Sequence, residues 1–254
     1  MSTEIANWEA ELAKYAQESA SEEVASGKFF STKGGILSWD GSPLTGNQMA
    51  CVILDMVFEN VNYPNTYTAG QAQSPDCFSF GRKQDEMEPH ETVPSPKSSD
   101  CTTCPNNQFG SAPTGRAKAC QNVRRLAMIP AGTFTAKGNY EAFDEVSDFD
   151  NSEIGFMKLP VMSTKNYSSY VKKISSVLKR PPFGVITRVS TEPDPKSQFK
   201  ITFEPIAPVP DNLMQVIMSR REEAMATIDF PHRISTVEPQ EFVSKAAKKP
   251  EPKY

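Results

Sequence analysis

The sequence predicts an α+β fold that is mainly β, with a small, partly open barrel and flanking helices. Three observations support this class: five or more short runs typical of strands, separate stretches with helical periodicity, and 21 prolines among 254 residues, which indicate long connections. The chain is long enough to bury a substantial core, either as one elaborated domain or as two small ones.

The first half of the chain predicts one helix followed by strands. Residues 4–25 carry apolar side chains at three- and four-residue spacing, and Gly27 follows as a cap. Residues 28–39 indicate two short strands around a glycine bend, and residues 49–58 form an apolar run typical of a buried strand. Cys51 inside this run is expected to be a small core residue. Residues 62–122 lack clear periodicity.

The second half alternates strands and helices. The acidic segment 139–153 is expected to be a solvated loop, and Asp211 is expected to cap the last helix. The predicted elements are strands at 124–130 and 156–160, a helix at 167–179, a hairpin of 183–189 and 198–204 around residues 192–195, a helix at 211–229, and a disordered tail over 237–254.

The chain is predicted to stay in the cytoplasm. No stretch approaches the roughly twenty apolar residues that span a bilayer, and the first residues lack the basic and apolar regions of a secretory signal. In a reducing compartment, clustered cysteines bind metal more often than they form disulfides.

Four of the five cysteines fall in one loop-rich segment and predict a structural zinc site with the ligands Cys77, Cys101, Cys104 and Cys120. A Cys-x-x-Cys turn brings two thiolates to one tetrahedral ion, and the outer pair fills the shell, leaving no position for a catalytic water. Four unrelated reduced thiols are the simpler alternative. His90 could replace one thiolate, although its isolated place in a Pro- and Glu-rich loop indicates an exposed side chain. A redox use of the Cys-x-x-Cys pair would need a helix after it, whereas turn-forming residues follow.

The net charge of -4 conceals two basic windows. Residues 101–140 and 154–191 contain no acidic side chain, and six acidic residues lie between them in 141–153. Such segregation can give an acidic protein one strongly positive face. Cations interleaved with aromatic rings are typical of single-strand binding, although a core role for the rings and a solvated role for the lysines remain the alternative. The predicted nucleic-acid-binding residues are Lys33, Arg116, Lys118, Arg124, Arg125, Tyr167, Tyr170, Lys172, Lys173, Arg180, Phe183 and Arg188. No catalytic motif is present, so no enzyme activity is predicted.

Several segments together resemble bacteriophage single-stranded-DNA-binding proteins. They are Phe-Phe-Ser-Thr-Lys-Gly-Gly at 29–35, the Cys-x-x-Cys-Pro-Asn-Asn-Gln-Phe-Gly-Ser stretch at 101–111, Gly-Arg-Ala-Lys-Ala-Cys at 115–120, and Arg-Arg-Leu at 124–126. The resemblance covers about residues 28–205. It implies an OB-like, partly open barrel over residues 28–236 with a zinc-ribbon-like insertion at 74–122.

The resemblance also implies a protein that coats single strands during phage DNA replication or recombination. Many such proteins end in an acidic tail that recruits partners, whereas residues 245–254 are mildly basic. The acidic helix within residues 1–27 or the acidic segment 141–153 could take that role. The alternative function is a zinc-containing interaction factor that docks on and regulates a host or phage polymerase or nuclease complex.

Overall fold

The computed structural model describes residues 29–64, 73–113 and 115–232. The helix predicted at 4–25, its Gly27 cap and the predicted tail from residue 237 lie outside these ranges. Within the described ranges, no helix is long and apolar enough to cross a membrane.

One antiparallel sheet of seven strands forms the centre of the described fold. A separate two-stranded ribbon consists of β1 (Ser38–Trp39) and β2 (Ser42–Pro43). The seven strands of the main sheet are β3 (Gln48–Asn62), β4 (Cys77–Gly81), β5 (Cys120–Phe134), β6 (Tyr140–Ala142), β7 (Gly155–Leu159), β8 (Val185–Asp194) and β9 (Gln198–Pro208). The 15-residue strands β3 and β5 pair along most of their length. On the side of β3 that faces away from β5, β8 pairs with one end of β3 and β4 with the other. On the side of β5 that faces away from β3, β6 and β7 pair in the same way, and β9 pairs with β8.

Helices cover both faces of this sheet, which explains why the central strands are apolar on both sides. The helices are α1 (Val146–Asp150), α2 (Val161–Val177) and α3 (Met214–Thr227). Because successive strand residues point to opposite faces, Cys51 and Ile53 join the core beneath α2, and Val52 and Leu54 join the core beneath α1 and α3. The predicted core position of Cys51 is confirmed at 1% exposure.

The free edge of β9 is covered by α2 through side-chain hydrogen bonds. The backbone N–H of Ile201 donates to the Ser163 hydroxyl at 2.9 Å, and the Asn166 side-chain amide donates to the Ile201 carbonyl at 2.9 Å. Both backbone groups of this edge residue therefore have partners without a further strand.

The outer edge of β3 has an unpaired stretch. β8 pairs with β3 as far as Val52 and β4 pairs from Phe58 onward, so residues 53–57 face no strand on that side within the described chain. A register shift against β5 between Ile53 and Asp55 marks a bulge at the same place. The short 3₁₀ turn Pro182–Gly184 lies beside this stretch, and together they leave a recess in the sheet edge.

The predicted fold class is confirmed as α+β, mainly sheet, with an open antiparallel arrangement. The predicted strands at 49–58, 124–130 and 156–160 are confirmed, and the first two are longer than predicted because they pair along almost their whole length. The helix at 167–179 begins earlier, as α2. The hairpin is confirmed, but its turn spans residues 195–197 because pairing continues to Asp194 and Gln198.

Three local predictions are wrong, and one strand lies where the sequence shows no clear period, since the segment 62–122 contributes β4 to the main sheet. The segment 139–153 is not a solvated loop but contains β6 and α1, because Phe149 is fully buried in the core. The strand predicted at the start of the 28–39 segment is reduced to single bridges at Phe29 and Ser31. Asp211 does not cap α3, because it lies inside a 3₁₀ turn that precedes the helix.

Candidate metal centre and nucleic-acid groove

The four cysteines line one small cavity at an end of the sheet. Asn62, the last residue of β3, pairs with Cys77 on one side and with Cys120 on the other. Opposed residues of adjacent strands point to the same face, and adjacent strands lie about 4.8 Å apart, so the two outer cysteines share a face with Cα atoms about 10 Å apart. Cys101 and Cys104 complete the lining from the connection between β4 and β5.

Hydrogen bonds hold the Cys-x-x-Cys turn in place. The Cys101 N–H donates to the Met87 carbonyl at 3.0 Å, and the Asn107 side-chain amide donates to the Cys101 carbonyl at 2.6 Å. Only the three-residue 3₁₀ turn Pro105–Asn107 follows Cys104. The helix that a thioredoxin-like redox site needs is therefore not at this position.

The thiols oppose one another's ionisation. Burial, followed by the proximity of the other three cysteines, raises the pKa of the Cys120 thiol to about 12. Burial also raises the pKa of Cys77 and of Cys101, although a hydrogen bond with Ser79 partly counters this at Cys101. A bound divalent cation would reverse this balance, because it stabilises thiolates and releases their protons.

The size and composition of the cavity fit a single small ion. Its volume of about 20 Å³ accommodates one ion or water molecule, and four cysteine sulfurs are a preferred zinc ligand set. As the side chains stand, no group of three or more histidine, cysteine or acidic residues in the described ranges is arranged to hold a metal ion. Binding would therefore require the cysteine side chains to rotate toward a common centre.

A second cavity, of about 490 Å³, occupies the recess in the sheet edge. We call it the basic groove. It is lined by the unpaired stretch of β3, by Arg124 of β5, by α2 around Lys172, by the turn that contains Phe183, and by Arg221 of α3. Five separate segments of the chain therefore contribute to one surface.

The lining of the basic groove carries an excess of positive charge. Arg124, Lys172 and Arg221 line it, and the only acidic residue among its described lining residues, Asp55, pairs with Arg82 at 2.6 Å. The Arg221 guanidinium lies 4.8 Å from the centre of the Phe183 ring. Cations bind phosphates and ring faces stack on bases, so this arrangement has the chemistry of a single-strand binding site.

Comparisons with protein-family models, curated proteins and solved structures found no match to this chain. A functional assignment therefore depends on the residues and their geometry. Of the predicted nucleic-acid-binding residues, the structure brings Arg124, Tyr167, Lys172 and Phe183 together around the basic groove.

The structure places Arg125 away from the basic groove and buries its side chain, which is 1% exposed. Adjacent strand residues point to opposite faces, so Arg124 faces α2 whereas Arg125 faces the other side of the sheet. There its guanidinium lies 4.3 Å from the ring centres of both Phe80 and Phe230. It also donates to the Phe230 carbonyl at 2.9 Å. Arg125 therefore ties the end of the described chain to the sheet.

The buried Glu59 and Arg125 form an ion pair that the partly exposed Lys158 and His232 extend into a cluster. The Glu59 carboxylate lies 3.2 Å from Arg125, 3.0 Å from Lys158 and 2.8 Å from His232. Burial alone would raise the pKa of Glu59, but the hydrogen bond from His232 and the charges of Lys158 and Arg125 outweigh it and lower the pKa to about 2. The cluster is a structural element of the fold.

The structure also buries Tyr167 and Tyr170, which were predicted to stack on bases. Each is 3% exposed, and their ring centres lie 5.3 Å and 5.9 Å from that of Phe203 in the core beneath α2. The Tyr170 hydroxyl hydrogen-bonds to Thr187, and burial raises the Tyr170 pKa to about 12. The core interpretation therefore applies to both rings, although the edge of Tyr167 contributes to the groove wall.

The remaining predicted cations are not among the lining residues of the basic groove. Arg180 donates to the Val209 carbonyl at 3.0 Å, and Arg188 lies over the Phe134 ring. The exposed Lys33 lies in the short turn Lys33–Gly35, whose Gly35 carbonyl accepts a hydrogen bond from Thr191. Arg116 and Lys118 lie beside the cysteine cluster, and Lys173 is exposed on α2.

Sequence reasoning missed three residues that the structure makes prominent: Arg221, His232 and Phe109. Arg221 had a signal in the Arg-Arg pair of the last predicted helix, but only tertiary structure brings that helix to the sheet edge. His232 had no local signal, since its partner Glu59 is 173 positions away. Phe109 lies in a turn of polar residues, where an aromatic side chain is unusual.

Proposed function

We propose that the protein is a non-enzymatic single-stranded DNA-binding protein that acts in DNA replication or recombination, in the cytoplasm of its cell or of a viral host. The observation that supports this most is the basic groove. Three cations and a half-buried aromatic ring converge there from different segments, and Asp55, the acidic residue among the described lining residues, is already paired with Arg82.

The concave shape of the groove favours a single strand over a duplex. Duplex recognition usually requires a helix or ribbon that projects into the DNA groove. Here the cations line a recess instead, and a flexible single strand can enter it and place a base against Phe183. DNA is chosen over RNA on the resemblance described above.

We further propose that Cys77, Cys101, Cys104 and Cys120 bind one structural Zn²⁺. The ion would stabilise their thiolates. These residues would tie the long connection between β4 and β5 to the end of the sheet, because two of them lie in strands and two in the connection. The connection has few apolar residues of its own, so a metal can supply much of its folding energy.

The nucleic-acid proposal is tested by a fluorescence-anisotropy titration with single- and double-stranded oligonucleotides over a range of salt concentrations. Wild type is expected to bind single strands more tightly, with affinity falling as salt rises. Lys172→Glu and Arg221→Glu should each weaken binding about tenfold. Each should also reduce the salt slope by about 0.7, the value for one lost phosphate contact on a single strand.

Lys196→Glu is the matched control. Lys196 is exposed in the β8–β9 turn. Ten residues of β8 separate it from the groove, which corresponds to about 30 Å. Absence of binding at low salt, or an equal loss in the control, would refute the proposal. A stoichiometric complex with a polymerase or nuclease in the absence of nucleic-acid affinity would instead favour the interaction-factor function.

A further inference from the structure

Phe109 is the most exposed large apolar side chain in the described ranges, at 83%. A single exposed apolar residue needs no explanation by itself. Phe109 differs because hydrogen bonds fix the backbone around it and a lysine lies over its ring, as the following contacts show.

A network of hydrogen bonds holds the turn that carries Phe109. The Gly110 N–H donates to the carbonyls of Arg116 and Ala117 at 3.2 and 3.0 Å. The Ala119 N–H donates to the Ser111 hydroxyl at 2.9 Å. Gly110 has a φ of +87°, which an L side chain rarely adopts. The ring is therefore presented from a defined position rather than from a loose loop.

Two cations accompany the ring. The Lys118 ammonium lies 5.1 Å from the centre of the Phe109 ring and also donates to the side-chain carbonyls of Asn107 and Asn122, at 3.2 and 2.9 Å. Arg116, exposed in the opposite arm of the turn, adds a second positive charge. An exposed ring beside two fixed or nearby cations matches one base and its flanking phosphates.

Polar side chains lead from this ring toward the basic groove. Lys118, which lies over Phe109, donates to Asn122, and Asn122 and Arg124 are alternate residues of β5 on the face beneath α2. A polar cleft of about 60 Å³ lies between Asn122 and Arg124. Arg124 lines both this cleft and the basic groove.

We propose that a bound single strand leaves the basic groove, crosses the polar cleft and stacks one base on Phe109. This inference rests on the proposed function and extends it, because the cysteine-rich module then becomes part of the binding surface. A protein partner would need a wider apolar patch than one ring surrounded by cations, so a nucleobase is the occupant that the observations favour.

The test compares oligothymidylates of about 4 and about 12 nucleotides, lengths that span the usual range for one small binding domain. Phe109→Ala should lower affinity for the longer strand roughly 5- to 100-fold, the range for loss of one base–aromatic stack, and leave the shorter strand unaffected. Phe109→Trp should retain affinity, and its emission should be quenched by the longer strand only. Val177→Ala, which alters a side chain on α2 that is 70% exposed, is the apolar control and should change neither affinity.

Two outcomes separate this inference from the function it extends. If Phe109→Ala binds both lengths as wild type does while Lys172→Glu is impaired, the groove functions and the path to Phe109 is refuted; Phe109 then serves another contact, such as a protein. If wild type binds neither length at low salt, the proposed function itself fails. Unchanged circular dichroism and thermal unfolding of Phe109→Ala exclude misfolding as the cause of a loss.

Discussion

Glu59→Gln is expected to lower the free energy of unfolding by about 3 kcal/mol at neutral pH. The substitution keeps the size of the side chain but removes the charge that Arg125, Lys158 and His232 surround. The pKa of Glu59 is about 2 in the folded protein and 4.5 for an unperturbed group. Since a tenfold change in proton affinity is worth about 1.4 kcal/mol, the native environment favours the charged carboxylate by about 3 kcal/mol.

The same numbers fix the pH dependence of the effect. Because the folded pKa is lower than the unfolded one, the contribution of Glu59 is fully present above about pH 4.5 and is lost as the pH falls toward 2. The difference in unfolding free energy between wild type and Glu59→Gln should therefore be at its full value at pH 7. It should shrink steadily between about pH 4.5 and pH 2.

Urea denaturation followed by tryptophan fluorescence at several pH values measures this difference. Glu204→Gln is the matched control, because Glu204 forms an exposed pair with Arg188 at 3.6 Å, a class worth less than about 1 kcal/mol. A loss below about 1 kcal/mol at pH 7, or a loss that does not change between pH 5 and pH 2, would contradict the idea of a stabilising buried ion cluster.

Three further outcomes are expected. Metal analysis should find one zinc per chain, and zinc binding to the reduced apoprotein at pH 7 should release about four protons, measured with a pH indicator, since burial raises the pKa of the Cys77, Cys101 and Cys120 thiols. The Cys120→Ser variant should release fewer. Tyr170→Phe should cost about 1 kcal/mol in thermal unfolding because the hydrogen bond between Tyr170 and Thr187 is lost, yet leave oligonucleotide affinity unchanged; a lost affinity would support Tyr170 as a binding residue. Ser163→Ala should cost about 1–3 kcal/mol because the Ile201 N–H is left unpaired, and equal stability would show that water replaces the hydroxyl.

Elements whose apolar residues recur with the regular spacing of a strand or a helix were predictable from the sequence. The apolar runs of β3 and β5 identified the two central strands, and the shared helical face of Tyr167, Tyr170 and Ile174 identified α2. The same period should have excluded both tyrosines from the binding surface, because the apolar side of an amphipathic helix faces the core. The prediction that they stack on bases rested on the nearby lysines and not on the position of the two rings on the apolar face of the helix.

Residues whose environment depends on distant partners were not predictable. Arg124 and Arg125 are equivalent in a window of positive charge, and only the pairing of β5 decides which of them faces the buried Glu59. The short strand β4 was missed although Phe78 and Phe80 alternate in it, since proline-rich connections surround it. The basic groove could not be predicted from the sequence, because it forms only where residues 53–57 of β3 have no paired strand on one side within the described chain.

The covered edge of β9 bears on how copies of this protein behave when crowded. Proteins that gather along one nucleic-acid strand bring their sheet edges close together, and an open edge can recruit a strand from a neighbour. In β9 the Ile201 backbone is already bonded to α2, and Pro205 and Pro208 have no N–H to donate. This edge therefore resists sheet-to-sheet association, and under the proposed function it would keep neighbouring copies on one strand from being joined through β9.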